Sequence, residues 1–304
     1  MPNIYKPPAS STTLAYDTIT GFNHAYTDLG PTYASGDLID LIDLSGTSVG
    51  SVVLQHVGNG YTNVFYGTAT GATGDVVVLG DVEASDILGS TPITVVAGPV
   101  PSMLTGGATH NGVATAPTTF QFLSPGDSTV TAYDTILGFR HGTDHIDIGA
   151  VATGSATLQS IGNGFTNLFY GTAQSGIEGN VAIYGDVRGD DLVGLGGLPL
   201  TLIAGPQAGH ALTGAGARDT FVFQSVGDST IANYDIITNF VHGSDHLDIS
   251  ATAHGAVVVQ SLANGWTNIF WGTSGAEGDI AVHGQVTAAD LIVGAGAHVD
   301  FIFA

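Results

Sequence analysis

Three pairs of aspartates, Asp40/Asp43, Asp144/Asp147 and Asp245/Asp248, sit three residues apart behind glycine-bearing turns. A further acid lies upstream of each pair, at Asp17, Asp134 and Asp235. Carboxylates on turns that glycine allows to bend, supplemented by Asn and backbone carbonyls, are the oxygen donors that Ca2+ takes. Two carboxylates about 5 Å apart repel by about 3 kcal/mol at an effective dielectric of 20, and a divalent ion would remove that cost. A structural role suits the same residues. Aspartate caps turns by accepting backbone amides, and strand alternation sends Asp245 and Asp248 to opposite faces. Both roles fit, and calcium is the expected cofactor.

Other reactive spacings carry less. His141/His145 and His242/His246 are four apart, but on a turn and strand that spacing does not face one ion, so they are expected to be surface or turn-packing histidines. Gly46-Thr-Ser-Val-Gly50 has the Gly-x-Ser-x-Gly form without a following strand-to-helix elbow. Asp190-Asp191 has no paired counterpart at Ser85-Asp86 or Ala289-Asp290. No catalytic constellation is expected. A formal charge of −22 with only four Lys and Arg argues against nucleic acid or anionic membranes as partners. The chain has no cysteine, and no apolar run reaches the ~18 residues of a membrane-spanning helix.

The elements that position the acids recur three times. Tyr16–Phe22 with Asp40–Ser45, Tyr133–Ile148 and Tyr234–Ser250 are copies of one motif, the first split by an insert at 23–39. A second block recurs at Leu54–Thr68, Leu158–Thr172 and Val259–Thr273, and a third at Gly80–Leu88, Gly185–Val193 and Gly284–Ile292. Asn59 to Asn163 is 104 residues and Asn163 to Asn264 is 101. Short runs rich in Val, Ile, Thr, Phe and Tyr between Gly, Asn and Asp predict strands, and each Asn-Gly predicts a tight hairpin turn. The expected fold is all-β, with three tandem β-sandwich or β-roll-like modules over 1–97, 117–204 and 218–304. Helix is limited to single turns, and the Gly- and Pro-rich stretches 98–116 and 205–217 are expected to be linkers.

Gly214-Ala-Gly-Ala-Arg-Asp-Thr-Phe-Val-Phe223, then Asp228-Ser-Thr and Asp235–Ser250, resembles the C-terminal β-domain of serralysin-type and other RTX proteins. Gly284–Ile292 resembles that family's closing segment. The resemblance implies calcium binding and export through type I secretion machinery from a Gram-negative cell. His298-Val-Asp-Phe-Ile-Phe-Ala304 looks like the uncleaved C-terminal signal of that route. Only one degenerate glycine–aspartate unit is present, with an echo at Thr105–Thr119, so a stacked calcium roll is not expected. No peptidase domain accompanies it, and no enzymatic activity is implied.

The expected function is therefore that of a secreted extracellular structural protein. Its modules would stack head to tail with those of other copies into a filament, surface layer or matrix, with calcium stabilising them. The alternative is an adhesin or carbohydrate-binding module using Tyr61, Tyr66, Phe165, Tyr170, Trp266 and Trp271.

Overall fold

The structure, a computed structural model, describes residues 4–6, 17–22, 40–44, 50–67, 73–88, 92–106, 116–171, 178–216, 218–273 and 276–303. The insert at 23–39 and residues 46–49 of the Gly-x-Ser-x-Gly stretch lie outside them. Short β-branched runs punctuated by Gly and Asp can form only short strands, and the chain winds most of these in parallel. It divides into two compact units, Met1–Val151 with Ile177–Gly185, and Ala152–Gly176 with Asp186–Ala304.

In the first unit, β1 (Ile4–Tyr5), β3 (Leu41–Asp43) and β7 (Ile87–Leu88) pair in parallel. The main sheet holds β2 (Asp17–Ile19), β4 (Val52–Gly58), β5 (Tyr61–Gly67), β6 (Thr73–Leu79), β8 (Ile93–Val96), β10 (Thr118–Gln121) and β12 (His145–Asp147). Its order is β12-β10-β8-β4-β5-β6-β2. The β4-β5-β6 meander is antiparallel, and every other pairing is parallel. A second parallel set is β9 (Met103–Thr105), β11 (Asp134–Leu137) and β15 (Gly179–Tyr184). From β8 to β12 the chain alternates between the two sets, strand by strand. This is a β-roll winding.

The second unit repeats the scheme. One sheet has β13 (Ala156–Gly162), β14 (Phe165–Tyr170), β17 (Leu200–Ile203), β19 (Thr220–Val222), β21 (His246–Asp248) and β25 (Leu291–Ile292), ordered β25-β21-β19-β17-β13-β14. The other has β18 (Ala211–Thr213), β20 (Asp235–Thr238), β22 (Ala256–Ser261), β23 (Trp266–Thr273), β24 (Ala276–His283) and β26 (His298–Phe303), ordered β18-β20-β24-β23-β22-β26. β16 (Leu192–Val193) is a two-residue strand after a 3-10 turn. Again the chain alternates between sheets from β17 to β22. Phe223 meets Trp271 edge-on at 6.2 Å, so the two faces share one core. Phe221 and Phe223, like Phe120 and Phe122 in the first unit, are wholly buried. Each contributes roughly 1.5–3 kcal/mol by leaving water.

The all-β expectation holds, and the 3-10 turns at Ala84–Asp86, Gly189–Asp191, Val226–Asp228 and Ala288–Asp290 are single turns. Strands β9 and β18 fall inside the stretches expected as linkers; their Gly and Pro mark the turns between parallel strands. The winding also forms with a single degenerate glycine–aspartate unit, because alternating apolar residues fill its core. Asn59-Gly60 and Asn163-Gly164 have positive φ at both residues (55° and 76°; 55° and 79°) as expected. The third hairpin differs: among 263–265 only Gly265 has positive φ, and Leu262 N donates to Trp266 O. The reason lies one residue earlier. Gly58 and Gly162 bulge with φ of 79° and 85°, a conformation that disfavours Ala263 at the equivalent place.

Candidate metal centre

Asp144 and Asp245 occupy the same place in their repeats, each the last residue of a turn leading into a strand, and both are fully buried. Asp144 accepts the Thr118 amide on Oδ1 and the Arg140 amide on Oδ2, each at 2.9 Å. The Arg140 guanidinium closes on the same carboxylate, Nη2 to Oδ1 at 2.8 Å and Nε to Oδ2 at 3.1 Å. Such a two-pronged, charge-assisted pair compensates burial of the acid. Asp245 accepts the Asp219 amide at 2.9 Å and the Val241 amide at 2.7 Å, but Val241 stands where the repeat has Arg140, so no guanidinium reaches it.

A second acid replaces the missing cation. Asp219 stands where the other repeat has Thr118, and it is fully buried. Its Oδ2 accepts the Gly216 amide at 3.2 Å, and its Oδ1 has no hydrogen-bond partner among the described residues. Burial first, and then the Asp245 charge, push its carboxyl up to about 6, against the amides of Gly216, Ala215 and Leu200. Gly214 is obligatory: a Cβ there would lie 2.5 Å from Asp219 Oδ2. Two buried carboxylates, one with an orphaned oxygen, beside a glycine-lined backbone turn fit a hard divalent cation such as Ca2+. Asp219 and Asp245 would hold it. The signal for Asp219 was its place at the end of the Gly214-x-Gly-x-x-Asp unit.

The other acids divide among separate tasks. Asp134 and Asp235 open β11 and β20, and each ties down the preceding coil. Asp134 Oδ1 accepts the Ser102 amide at 2.6 Å, while Asp235 Oδ1 accepts the amides of Gly209 and His210, both at 2.7 Å. Their Oδ2 atoms have no hydrogen-bond partner among the described residues. Burial pushes both carboxyls up to about 7, against those same amides; Asp127 and Asp81 add to the rise at Asp134, as Asp228 does at Asp235. Asp17 lies at the start of β2.

Strand alternation turns the two acids of a pair to different sides, and each finds its own surroundings. Asp147 binds the Gln121 side-chain amide and the Gly149 amide, both at 2.9 Å; Asp248 accepts the Ser250 amide; Asp43 meets Lys6 Nζ at 2.8 Å; Asp40 is buried. Among the described residues, no cluster of three His, Asp or Glu ligands includes any acid of these pairs or their upstream partners. His242 does not pair with His246 either. It contacts Asp290 at 2.7 Å, while His246 lies on the exposed side of β21.

Of the six aromatics, Tyr66, Tyr170 and Trp271 are buried. A Cβ on Gly74 or Gly278 would lie 2.3 Å from the ring of Tyr66 or Trp271, so these rings fill the space that glycine leaves across the strand pair. Tyr61 is exposed, and Phe165 and Trp266 are half-buried, Trp266 packing on the His283 ring at 4.9 Å between centroids.

A search of curated proteins finds no match. A family model described as Peptidase M10 serralysin C terminal matches twice, over residues 31–175 and 170–293.

Proposed function

The chain belongs to the Peptidase M10 serralysin C terminal family, and from that premise we propose that it is a secreted, calcium-stabilised structural repeat protein without catalytic activity. In this reading it leaves a Gram-negative cell through type I secretion machinery and assembles with other copies through its β-modules into a filament, surface layer or matrix. The observation that carries the calcium part is the Asp219–Asp245 pair, which lacks the guanidinium that Arg140 supplies to Asp144. In the calcium-poor cytoplasm that uncompensated pair destabilises the fold; outside the cell the ion offsets the repulsion. The assembly part is supported by β26, which ends its sheet and leaves Phe301 and Ile302 exposed.

Calcium titration tests the reading. A site held at ten times its dissociation constant adds about 1.4 kcal/mol to stability. The unfolding midpoint of the full chain should therefore rise in millimolar calcium, and the rise should be lost in Asp219→Asn. An equal calcium response in both proteins would sink the assignment.

A further inference from the structure

A second constellation lies in the first unit, away from the acidic pairs. His56 is the inward-facing residue near the end of β4, in line with Val52 and Leu54, and is 5% exposed. Asp81 and Glu83 follow the turn after β6, where Val82 N donates to Thr62 Oγ1 at 3.2 Å and Gly80 N to Gly60 O at 2.8 Å. Glu83 is wholly buried and held from both ends. Its amide donates to Asp86 Oδ2 at 2.8 Å, and its Oε2 accepts the Thr105 amide at 2.6 Å.

These restraints leave two atoms facing each other. His56 Nδ1 lies 2.9 Å from Asp81 Oδ1, so Nδ1–H donates to that carboxylate and the Nε2 lone pair is turned toward Glu83. Nε2 and Glu83 Oε1 are 3.9 Å apart, and neither has a hydrogen-bond partner among the described residues. That gap is too long for a hydrogen bond. An ion with ligand bonds of about 2.0–2.2 Å fits between the two atoms at an angle wider than tetrahedral, and a small inward shift of either side chain brings it to tetrahedral. One ligand atom from each of the three residues lies within 4.8 Å of the others. Burial, and then the Asp81 charge, push the Glu83 carboxyl well up, against the Thr105 amide. A cation would remove that penalty.

The repeats supply an internal comparison. Where this module has His56, Asp81 and Glu83, the second has Ser160, Asp186 and Arg188, and the third has Ser261, Gln285 and Thr287. In the second, Arg188 pairs with Asp186 at 2.7 Å. The imidazole and the buried carboxylate therefore occur together in one repeat, and both are absent from the other two, so the roll does not require them.

We propose that His56 Nε2 and Glu83 Oε1 bind one divalent transition-metal ion of the zinc class, with Asp81 orienting the imidazole. An imidazole ligand favours this class over calcium, which takes oxygen donors alone. A carboxylate on the far ring nitrogen is the usual outer-shell support of such a ligand. The Asp81 side chain is 43% exposed, so the supporting carboxylate itself reaches solvent.

The test uses the full chain in excess calcium, with Zn2+ measured by calorimetry and Co2+ by its visible absorption. One equivalent per chain should bind, and the cobalt bands should show a nitrogen ligand. The double variant His56→Ser/Glu83→Thr carries the residues of the third repeat. It should fold by circular dichroism and lose the site. Asp81→Asn should bind with affinity about 10–100-fold weaker. Equal zinc binding by the double variant and the native chain would overturn the proposal, as would a native chain that takes up neither metal. Calcium is saturating throughout, so neither outcome depends on the Asp219–Asp245 reading.

Discussion

At the scale of single residues, the buried carboxyls are the chain's least stable charges, and they make its stability depend on pH. Burial holds Asp134 and Asp235 at about 7 and Asp279 at about 6, against 3.8 for an unperturbed aspartate. A raised folded value means that the native state binds protons more tightly than the unfolded chain between those limits. The stabilisation is complete below about 3.8 and is lost as pH rises through about 6–7. With divalent ions chelated, the urea midpoint should therefore be higher at pH 5.5 than at pH 7.5. The gain is about 1–2 kcal/mol for each of Asp134 and Asp235. Asp290 acts in the opposite direction: burial raises its carboxyl, but the Thr287 and Gly243 amides and His242 outweigh that and lower it. Its contribution is lost only at still lower pH. A midpoint that falls between pH 7.5 and 5.5 would show that these carboxyls are ionised without cost in the folded chain.

At the scale of elements, the hairpins depend on a glycine facing a ring. Gly278 pairs with Trp271 across β23 and β24, and Gly74 with Tyr66 across β5 and β6. Adding one methyl at Gly278 places it 2.3 Å from the indole, which must leave its rotamer or push the strands apart. Gly278→Ala should cost about 1–3 kcal/mol, as overpacking of a filled core does, and should shift the Trp271 emission. Gly255→Ala is the control. Nothing lies within 4 Å of a Cβ there, so the substitution should leave both readouts unchanged or slightly raise stability. Similar losses from both substitutions would mean that glycine is required for backbone freedom and not for the ring. The β-branched alternation makes these strands readable from sequence. Their pairing partners are not readable, because a parallel roll joins strands that are remote along the chain.

At the scale of the whole molecule, association is the property that one exposed edge predicts. Among the described residues, β26 pairs only with β22, while Phe301 and Ile302 stay 37% and 50% exposed. An unpaired edge with apolar side chains is a template for another strand. Light scattering in millimolar calcium should show association of the native chain. Ile302→Lys should raise the concentration needed by about tenfold, the equivalent of one isoleucine's burial. Unchanged association would place the contact elsewhere.

Much of this architecture was legible beforehand. Composition and repetition determined an all-β, acidic, thrice-written chain, because alternating apolar residues and Asn-Gly turns act locally. The tertiary structure alone decided which acids act together. Asp144 and Asp147 are neighbours in sequence, yet alternation turns them apart. Asp219 and Asp245 are 26 residues apart, yet successive parallel strands bring them together. Val241 in place of Arg140 was visible as a substitution all along. Its consequence became visible only in the fold, because the cost of an unpaired charge is set by burial, which arises from contacts between distant residues.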